Sequence, residues 1–259
     1  MAGGRGQFQV RAQTESMRIL ITGGTSGLGL AMARALAGDG HRVVITGRER
    51  GRSVEVAATL PGEVHGIGMD VRNAGAVRAG RDDTIGLLGG LDVLVNNAGL
   101  GMRTVNPDFL TEPRPFWQVP EAGFRDVVDT NLTGYFLVAS AVVPDLLASG
   151  SGRIINVTMN HSTMTRRGFV PYGPSRAGAE ALSRIMAADL AATTVRVNLL
   201  LPGGATATGM IPEGFTDTSA LLPAEVMSAP VRWLCSPAGA RVHDERLVAA
   251  EFENWLARR

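Results

Sequence analysis

The segment Thr22-Gly23-Gly24-Thr25-Ser26-Gly27-Leu28-Gly29 decides the fold of this chain. It follows an apolar run, Arg18–Ile21, and leads into an alanine-rich stretch with helical spacing, Ala31–Leu36. Glycines at positions 23, 27 and 29 permit a tight turn and let another group approach the backbone closely. A helix that begins directly after such a turn presents free N–H groups and the positive end of its dipole. The context therefore predicts a strand, a glycine loop and a helix whose N-terminus holds the pyrophosphate of a dinucleotide.

Further apolar runs alternate with helical segments along the whole chain. We predict strands at Arg18–Ile21, Arg42–Thr46, Val64–Met69, Leu91–Val95, Arg153–Val157, Val195–Leu201 and Leu247–Val248. Long helices are predicted at Phe124–Leu147 and Ala177–Ala192. Continuous apolar strands separated by helices are typical of a parallel sheet covered on both faces. We therefore predict a flexible tail over residues 1–16 and one α/β domain over residues 17–259, a doubly wound parallel sheet (Rossmann fold).

The overall composition argues against several classes of partner. The 259 residues include 25 basic and 24 acidic side chains, so the net charge of +1 offers no case for nucleic acid or an anionic membrane. Cys235 is the only cysteine, which fits a reducing compartment, and neither a secretory segment nor an apolar run of membrane-spanning length is evident. The four histidines lack metal-ligand spacing. We therefore expect a cytoplasmic protein with no metal, nucleic acid or membrane partner.

Three motifs occur in the order found in one enzyme family. The glycine loop has the spacing Gly-x-x-x-Gly-x-Gly, Asn96-Asn97-Ala98-Gly99 ends the fourth predicted strand, and Tyr172-Gly173-Pro174-Ser175-Arg176 precedes an alanine-rich helix. Together they resemble the short-chain dehydrogenase/reductase family over about Met17 to Met210. The resemblance implies an oxidoreductase that binds a nicotinamide dinucleotide, acts on a small-molecule substrate and forms a homodimer or homotetramer.

The resemblance also assigns the cofactor site. Asp70 and Val71 resemble the pair that holds the adenine ring, and Pro202-Gly203 with Thr208 resemble the loop that covers the nicotinamide, with Thr206 as the alternative to Thr208. The complete set of predicted cofactor-binding residues is Gly23, Thr25, Ser26, Gly27, Leu28, Gly29, Arg48, Asp70, Val71, Asn97, Ala98, Gly99, Tyr172, Arg176, Pro202, Gly203 and Thr208.

The residues after the second strand indicate which dinucleotide is bound. A carboxylate at this place would bind the ribose hydroxyls of NAD and repel the extra phosphate of NADP. The chain has Gly47 and Arg48 there, and the planar guanidinium of an arginine suits a 2′-phosphate. A solvated arginine at a helix start is the alternative interpretation. We therefore favour NADP(H) over NAD(H).

The catalytic assignment rests on the family pattern Tyr-x-x-x-Lys, in which the tyrosine exchanges a proton with the substrate while hydride moves to or from nicotinamide. The resemblance assigns that proton transfer to Tyr172. An ordinary tyrosine has a pKa of about 10, and a cation one helical turn away lowers the pKa of such a phenol. Arg176 keeps the charge but is bulkier and planar compared with lysine. Asn131 resembles the family's helix asparagine, which supports a water linked to the cation, and Tyr135 is interpreted as packing.

The substrate side departs from the family pattern. Thirteen residues before Tyr172, where the family has a serine that holds the substrate oxygen, the chain has Met159, which has no proton to donate. His161 or Ser162, in the loop that follows, is a candidate to replace that hydroxyl. The predicted substrate pocket comprises Met159, His161, Phe116, Trp117, Phe169 and Met210.

Three functions remain open from the sequence. The leading one is an NADP(H)-dependent oxidoreductase that transfers hydride between nicotinamide and a small carbonyl or alcohol, with Tyr172 as proton donor or acceptor. Because Met159 removes a hydroxyl that would polarise a ketone, reduction of an imine is the enzymatic alternative. The non-enzymatic alternative is a dinucleotide-binding regulatory protein with little turnover.

Overall fold

Apolar side chains on both faces of each strand build one central sheet. The computed structural model describes residues 16–212, 219 and 221–259. Within these residues the strands are β1 (Arg18–Ile21), β2 (Arg42–Gly47), β3 (Val64–Gly68), β4 (Val93–Asn96), β5 (Arg153–Val157), β6 (Arg196–Leu201) and β7 (Arg246–Val248). All neighbours pair in parallel in the order β3-β2-β1-β4-β5-β6-β7. The predicted doubly wound sheet is confirmed; the predicted tail, except for Ser16, lies outside the described residues.

The strand order creates a crevice at the carboxyl edge of the sheet. β1 pairs with β2 on one side and with β4 on the other, so the chain builds outward in both directions from the β1–β4 border. The register pairs Ile21 with Val95 and Asn96 with Asn156, which brings the ends of β1, β4 and β5 together. Loops diverge at this border, which is where open α/β sheets bind ligands.

Helices cover both faces of the sheet. They are α1 (Gly27–Gly38), α2 (Arg50–Ala57), α3 (Ala74–Leu88), α4 (Glu121–Val128), α5 (Gly134–Ala148), α6 (His161–Met164), α7 (Tyr172–Leu190), α8 (Ser228–Leu234) and α9 (Phe252–Leu256). Alternate residues of β1 supply two cores, because successive side chains of a strand point to opposite faces. Ile19 and Ile21 join the core with α1 and α8, whereas Leu20 joins the core with α3, α5 and α7.

The long helix predicted at Phe124–Leu147 is longer than expected and contains an irregular turn. It begins at Glu121 and runs to Ala148, with a π-helical turn at Asp129–Thr133. This 28-residue helix is long and apolar enough to cross a membrane by length and composition alone, which the sequence interpretation did not anticipate. In the described structure it packs against α3 and β4, as the core helix of a doubly wound sheet does.

The helix predicted at Ala177–Ala192 spans Tyr172–Leu190 instead. Pro174 is compatible with this earlier start, because a proline in the first turn of a helix loses no hydrogen bond. Tyr172 and Arg176, four residues apart, consequently lie on one helical face. The boundary matters because the two residues share a rigid element rather than a loop.

Candidate active site

A cleft of about 980 Å³ opens at the carboxyl edge of the sheet. Its walls come from the glycine loop, from the loops that follow β2 to β6, and from the start of α7. Every predicted cofactor-binding residue except Gly29 lines this cleft. One continuous cleft therefore joins the predicted nucleotide site to Tyr172.

The glycine loop is held to the end of β4 by hydrogen bonds. The Asn97 amide donates to the carbonyls of Thr22 and Gly23, both at 3.0 Å, and the Thr22 hydroxyl oxygen accepts from the Asn97 N–H at 3.0 Å. Gly23 and Gly27 have φ angles of +64° and +52°, a region that favours glycine. Gly29 lies behind the cleft, and a Cβ there would overlap the Gly23 carbonyl. Gly29 therefore lets α1 pack closely on the loop and does not line the cofactor site as predicted.

Charged side chains line the end of the cleft beside β2 and β3. Asp70 pairs with Arg72 at 2.8 Å, and Arg72 also pairs with Asp126 at 2.8 Å. Hydrogen bonds from Arg72 hold the pKa of Asp70 below its ordinary value in spite of partial burial, and the charge of Arg48 contributes. Arg48 itself is exposed, lines the cleft and forms no ion pair with a described residue. Its guanidinium is thus available to a phosphate at this end.

Tyr172 and Arg176 border the other end of the cleft. The Tyr172 hydroxyl contacts Met210 Sδ at 3.9 Å, and the Tyr172 ring packs against the apolar cluster that contains Met159 and Phe169. Arg176 Cζ lies 5.5 Å from the centroid of the Tyr172 ring. Since Arg176 is only 3% exposed, water screens its charge weakly. A phenol and a cation therefore share the innermost part of the cleft.

Tyr135 is a further partner of this cation, which the sequence interpretation missed. Arg176 Nη1 donates to the Tyr135 hydroxyl oxygen at 2.6 Å and to the Val157 carbonyl at 3.0 Å. The Tyr135 hydroxyl donates to the same carbonyl at 3.0 Å. Burial raises the pKa of Tyr135, and the charge of Arg176 offsets this only in part. The interpretation of Tyr135 as packing alone is wrong; the available signal was a hydroxyl in an apolar helix, one turn beyond Asn131.

Arg176 is a buried cation whose described partners include no carboxylate. Burial acts to lower its pKa, but the phenols of Tyr135 and Tyr172 outweigh burial and hold the pKa above its ordinary value. Its Nε atom has no hydrogen-bond partner among the described residues. A Cβ on Gly99 would overlap the guanidinium, so the last residue of the Asn-Asn-Ala-Gly motif makes room for it. The space at Gly99 and the two phenols together accommodate the Arg176 guanidinium in the core.

Asn131 lies in the π-helical turn and is fully buried. Its Oδ1 accepts from the Leu100 N–H at 2.8 Å, while its Nδ2 donates to the Leu100 carbonyl at 3.0 Å and to Ser175 Oγ at 3.1 Å. The side chain therefore ties the turn to the loop after β4 and to α7. It does not line the cleft, and its support of a water beside the cation stays a prediction.

Met159 lines the cleft at the end of β5 and is 8% exposed. Neither candidate replacement for the missing hydroxyl reaches the cleft. His161 Nε2 bonds the Glu180 carboxylate at 2.8 Å, which draws the imidazole away, and its side chain is 68% exposed. Ser162 is exposed and does not line the cleft. The prediction that His161 belongs to the substrate pocket is therefore wrong.

Phe116 and Trp117 were predicted to belong to the substrate pocket, but neither residue lines the cleft. They are 69% and 72% exposed, and they pack edge to face on each other with ring centroids 5.3 Å apart. Their position in a short 3-10 turn directs both rings to the surface rather than to the cleft. The apolar wall consists instead of Met102, Phe109, Met159, Phe169 and Met210, of which the last three were predicted.

The loop after β6 closes the cleft beside the glycine loop. Gly203 has a φ of +100°, and its carbonyl accepts from Asn160 Nδ2 at 2.9 Å. Thr208 Cγ2 would lie 3.2 Å from a Cβ on Gly27, so the threonine faces the glycine loop. Thr206 is buried and its hydroxyl donates to a nearby backbone carbonyl at 3.2 Å. This difference supports Thr208 over Thr206 as a ligand-facing residue.

The described part of the chain contains no group of three His, Cys, Asp or Glu side chains placed to hold a metal ion. Cys235 lies in the core of α1 and α8, where burial raises the pKa of its thiol to about 12. The Tyr172 phenol lines the cleft with the Arg176 guanidinium beside it.

Comparison with known sequences identifies the relatives of this chain. The family model of the short chain dehydrogenases matches residues 17–218. The 3-oxoacyl-[acyl-carrier-protein] reductase FabG of Vibrio cholerae is 30% identical over 238 residues, which cover 88% of this chain and 93% of that protein. The 5-keto-D-gluconate 5-reductase of Escherichia coli K12 is 34% identical over 116 residues, which cover 45% of this chain and only 42% of that protein.

Solved structures share the fold over nearly the whole chain. A short chain dehydrogenase from Burkholderia cenocepacia J2315 in complex with NADP has a TM-score of 0.77 at 26% identity, covering 90% of this chain and 95% of that chain. The 3-ketoacyl-(acyl-carrier-protein) reductase from Brucella melitensis complexed with NADH has a TM-score of 0.79 at 25% identity, covering 92% and 97%. By its sequence, its strand order and its cleft, this chain belongs to the short-chain dehydrogenase/reductase family.

Proposed function

We propose that this protein is an NADP(H)-dependent oxidoreductase that transfers hydride between nicotinamide and a small carbonyl or alcohol substrate. The observation that carries the proposal is the position of Tyr172, which lines the same cleft as the glycine loop while its ring lies 5.5 Å from the buried Arg176 cation. A phenol so placed can give a proton to a carbonyl oxygen or take one from an alcohol.

The cleft residues fit a dinucleotide. Gly23 and Gly27 leave room at the start of α1 for a pyrophosphate, and free N–H groups at that helix start favour its charge. The bound dinucleotide supplies the hydride chemistry. Tyr172 Oη gives its proton to the substrate oxygen, and the charge of Arg176 offsets the negative charge that this leaves on the phenol. Met159 has no proton to donate, so Tyr172 is the side chain that polarises the substrate.

Arg48 supports the preference for NADP(H). The relatives include one structure with NADP and one with NADH, so the family alone leaves the choice open. Exposed Arg48 beside Gly47 offers a planar cation where a carboxylate would repel the 2′-phosphate. Fluorescence titration of the protein with NADPH and with NADH tests this preference. We expect tighter binding of NADPH. Equal or tighter binding of NADH would show that Arg48 does not select NADP(H).

Turnover tests the reaction itself. We expect NADPH consumption with at least one member of a panel of ketones, diketones and imines. Tyr172→Phe should abolish this turnover while NADPH affinity is retained, because the substitution removes only the hydroxyl. Turnover that survives in Tyr172→Phe would contradict the proton-transfer role. Retained NADPH binding without turnover of any compound would favour the regulatory protein.

Imine reduction is the second candidate reaction, and Met159 is the observation that favours it. A protonated imine carries its own activating charge and needs no second hydrogen-bond donor, whereas a ketone does. The ratio of imine to ketone turnover therefore distinguishes the two reactions.

Two exposed apolar side chains support the proposal of a homodimer or homotetramer. Phe136 on α5 is 50% exposed, and Ile185 on α7 is 57% exposed. Burial of such side chains between copies of the chain would remove apolar surface from water. Light scattering of the wild type and of Ile185→Glu tests this, with a monomeric wild type as the contradicting result.

A further inference from the structure

The position of the Arg176 guanidinium depends on Tyr135. Arg176 Nη1 donates two hydrogen bonds, one to Tyr135 Oη at 2.6 Å and one to the Val157 carbonyl at 3.0 Å. Tyr135 Oη is itself fixed, because it donates to the Val157 carbonyl at 3.0 Å. Tyr135 therefore supplies one of the hydrogen bonds that anchor the buried cation.

The guanidinium lies between two phenols with different access to the cleft. Arg176 Cζ is 5.5 Å from each ring centroid. Tyr172 lines the cleft, whereas Tyr135 does not and is only 1% exposed. The Tyr135 hydroxyl also donates its hydrogen bond to the Val157 carbonyl. Of the two phenols, only Tyr172 is placed to exchange a proton with a ligand, so Tyr135 acts on the site indirectly, through the cation and through the Val157 carbonyl.

We propose that Tyr135 is a positioning residue that holds the Arg176 guanidinium in place beside the Tyr172 ring. A planar arginine is longer and less compact than a lysine ammonium, and it needs an acceptor of its own deep in the core. This inference deepens the proposed function, but its test requires neither substrate nor cofactor.

The test uses the fact that the chain contains only two tyrosines. The ultraviolet absorbance of tyrosinate, measured against pH, then reports Tyr172 alone in Tyr135→Phe and Tyr135 alone in Tyr172→Phe. We expect the Tyr172 midpoint in Tyr135→Phe to lie above the first midpoint of the wild type, because the cation is then no longer held beside the phenol. In an Arg176→Gln background, Tyr135→Phe should add no further shift.

Thr84→Val is the matched control. Thr84 is fully buried, and its hydroxyl donates to the Gly80 carbonyl within α3, away from the cation. We expect it to lower stability without moving either tyrosine midpoint. A Tyr172 midpoint that stays or falls in Tyr135→Phe would overturn the proposal. Tyr172→Phe provides a second test if Tyr135→Phe does not fold. A Tyr135 midpoint in Tyr172→Phe that equals the first midpoint of the wild type would show that Tyr135 ionises first, and this would also overturn the proposal.

An exposed arginine lies at the mouth of the apolar wall. Arg166 lines the cleft and is exposed, with Cζ 5.1 Å from the centroid of the Phe169 ring. It forms no ion pair with a described residue. Among the described residues that line the cleft, Asp70 is the only carboxylate, and it pairs with Arg72 at the nucleotide end. The substrate end therefore combines an apolar surface with a cation that no described carboxylate compensates.

We infer that Arg166 forms a subsite for a carboxylate, so that the substrate is an oxo acid with an apolar body. A guanidinium stacked on a ring keeps its N–H edge available for the two oxygens of a carboxylate. Phe169, against which Arg166 stacks, belongs to the same cluster as the Tyr172 ring. The apolar body would lie on this cluster, with the carboxylate at its outer end. This inference rests on the proposed function for the identity of the reaction.

Calorimetry with levulinate and methyl levulinate tests the subsite on the protein loaded with NADP⁺, which has no hydride to transfer to either compound. We expect levulinate to bind about tenfold more tightly than its ester, and Arg166→Gln to abolish the difference. Arg167→Gln is the control, because Arg167 is exposed next to it but does not line the cleft. No preference in the wild type, or a preference that survives Arg166→Gln, would overturn the subsite. Levulinate that binds with this preference but is not reduced in a separate assay with NADPH would count against the proposed reaction and not against the subsite.

Discussion

Replacement of Met159 by serine places a hydroxyl at the end of β5, where the family pattern has the serine that holds the substrate oxygen. The Met159 side chain lines the cleft at the end of β5, and its thioether has no proton to give. A serine hydroxyl there would give the substrate oxygen a second donor beside Tyr172. Loss of one such donor typically lowers the rate of an enzyme by about 100-fold to 1,000-fold, or about 2.7–4 kcal/mol. We therefore expect kcat for a ketone to rise about 100-fold in Met159→Ser.

The same substitution lowers stability. Met159 packs in a cluster with Phe109 and Phe169, and it is 8% exposed. Truncation of a buried methionine costs about 2–5 kcal/mol in a closed core. Because Met159 borders an open cleft that water can enter, we expect a loss near the lower end, about 2 kcal/mol. Urea unfolding should show it as a lower midpoint with an unchanged slope.

The assay compares NADPH consumption with one ketone and one imine at saturating cofactor. Met164→Ser is the matched control, because Met164 belongs to the same cluster and is 9% exposed but does not line the cleft. We expect it to lose similar stability without any gain in rate. An imine should gain less than a ketone from Met159→Ser, since its own charge already activates it. A folded Met159→Ser that reduces ketones no faster than the wild type would refute the argument that a donor is missing.

Arg48→Gln should weaken NADPH binding about tenfold or more in fluorescence titration and leave NADH binding nearly unchanged, because a charge-assisted bond to the 2′-phosphate is lost; equal losses for both cofactors would contradict this. Gly66→Ala should destabilise the fold by about 1–3 kcal/mol, because a Cβ there would overlap the backbone of α2. Gly86→Ala, where a Cβ meets nothing within 4 Å, should instead stabilise α3 by about 0.5–1 kcal/mol; thermal unfolding of both variants checks the opposite signs. Burial alone would raise the pKa of Asp92, but hydrogen bonds from Arg18 outweigh burial and lower it. A lowered carboxyl pKa contributes stability that is present above the unfolded value of about 3.9 and is lost as pH falls through the folded value, so urea unfolding of Asp92→Asn should show a weaker acid dependence in that range than the wild type.

The sequence by itself was sufficient for the fold and the nucleotide end of the cleft. A glycine loop between an apolar strand and an alanine-rich helix restricts local conformation strongly, and the apolar strands then leave few ways to build a covered sheet. Asn97 and Thr208 line the cleft for the same reason, since each follows a strand that ends there, and their contact with the cofactor stays a prediction. Helix limits were less well predicted, because a π-helical turn and an early start at Tyr172 depend on packing.

The tertiary structure alone decided which side chains meet around the Tyr172 phenol. Tyr135 and Arg176 are 41 residues apart in the chain, and no local pattern relates them. His161 turns to Glu180 because a carboxylate from another helix lies within hydrogen-bond reach, at 2.8 Å. Phe116 and Trp117 have the composition of a substrate wall, yet their turn faces the surface. Side-chain direction and long-range pairing follow from the packing of the whole domain, whereas strand and loop positions follow from nearby residues.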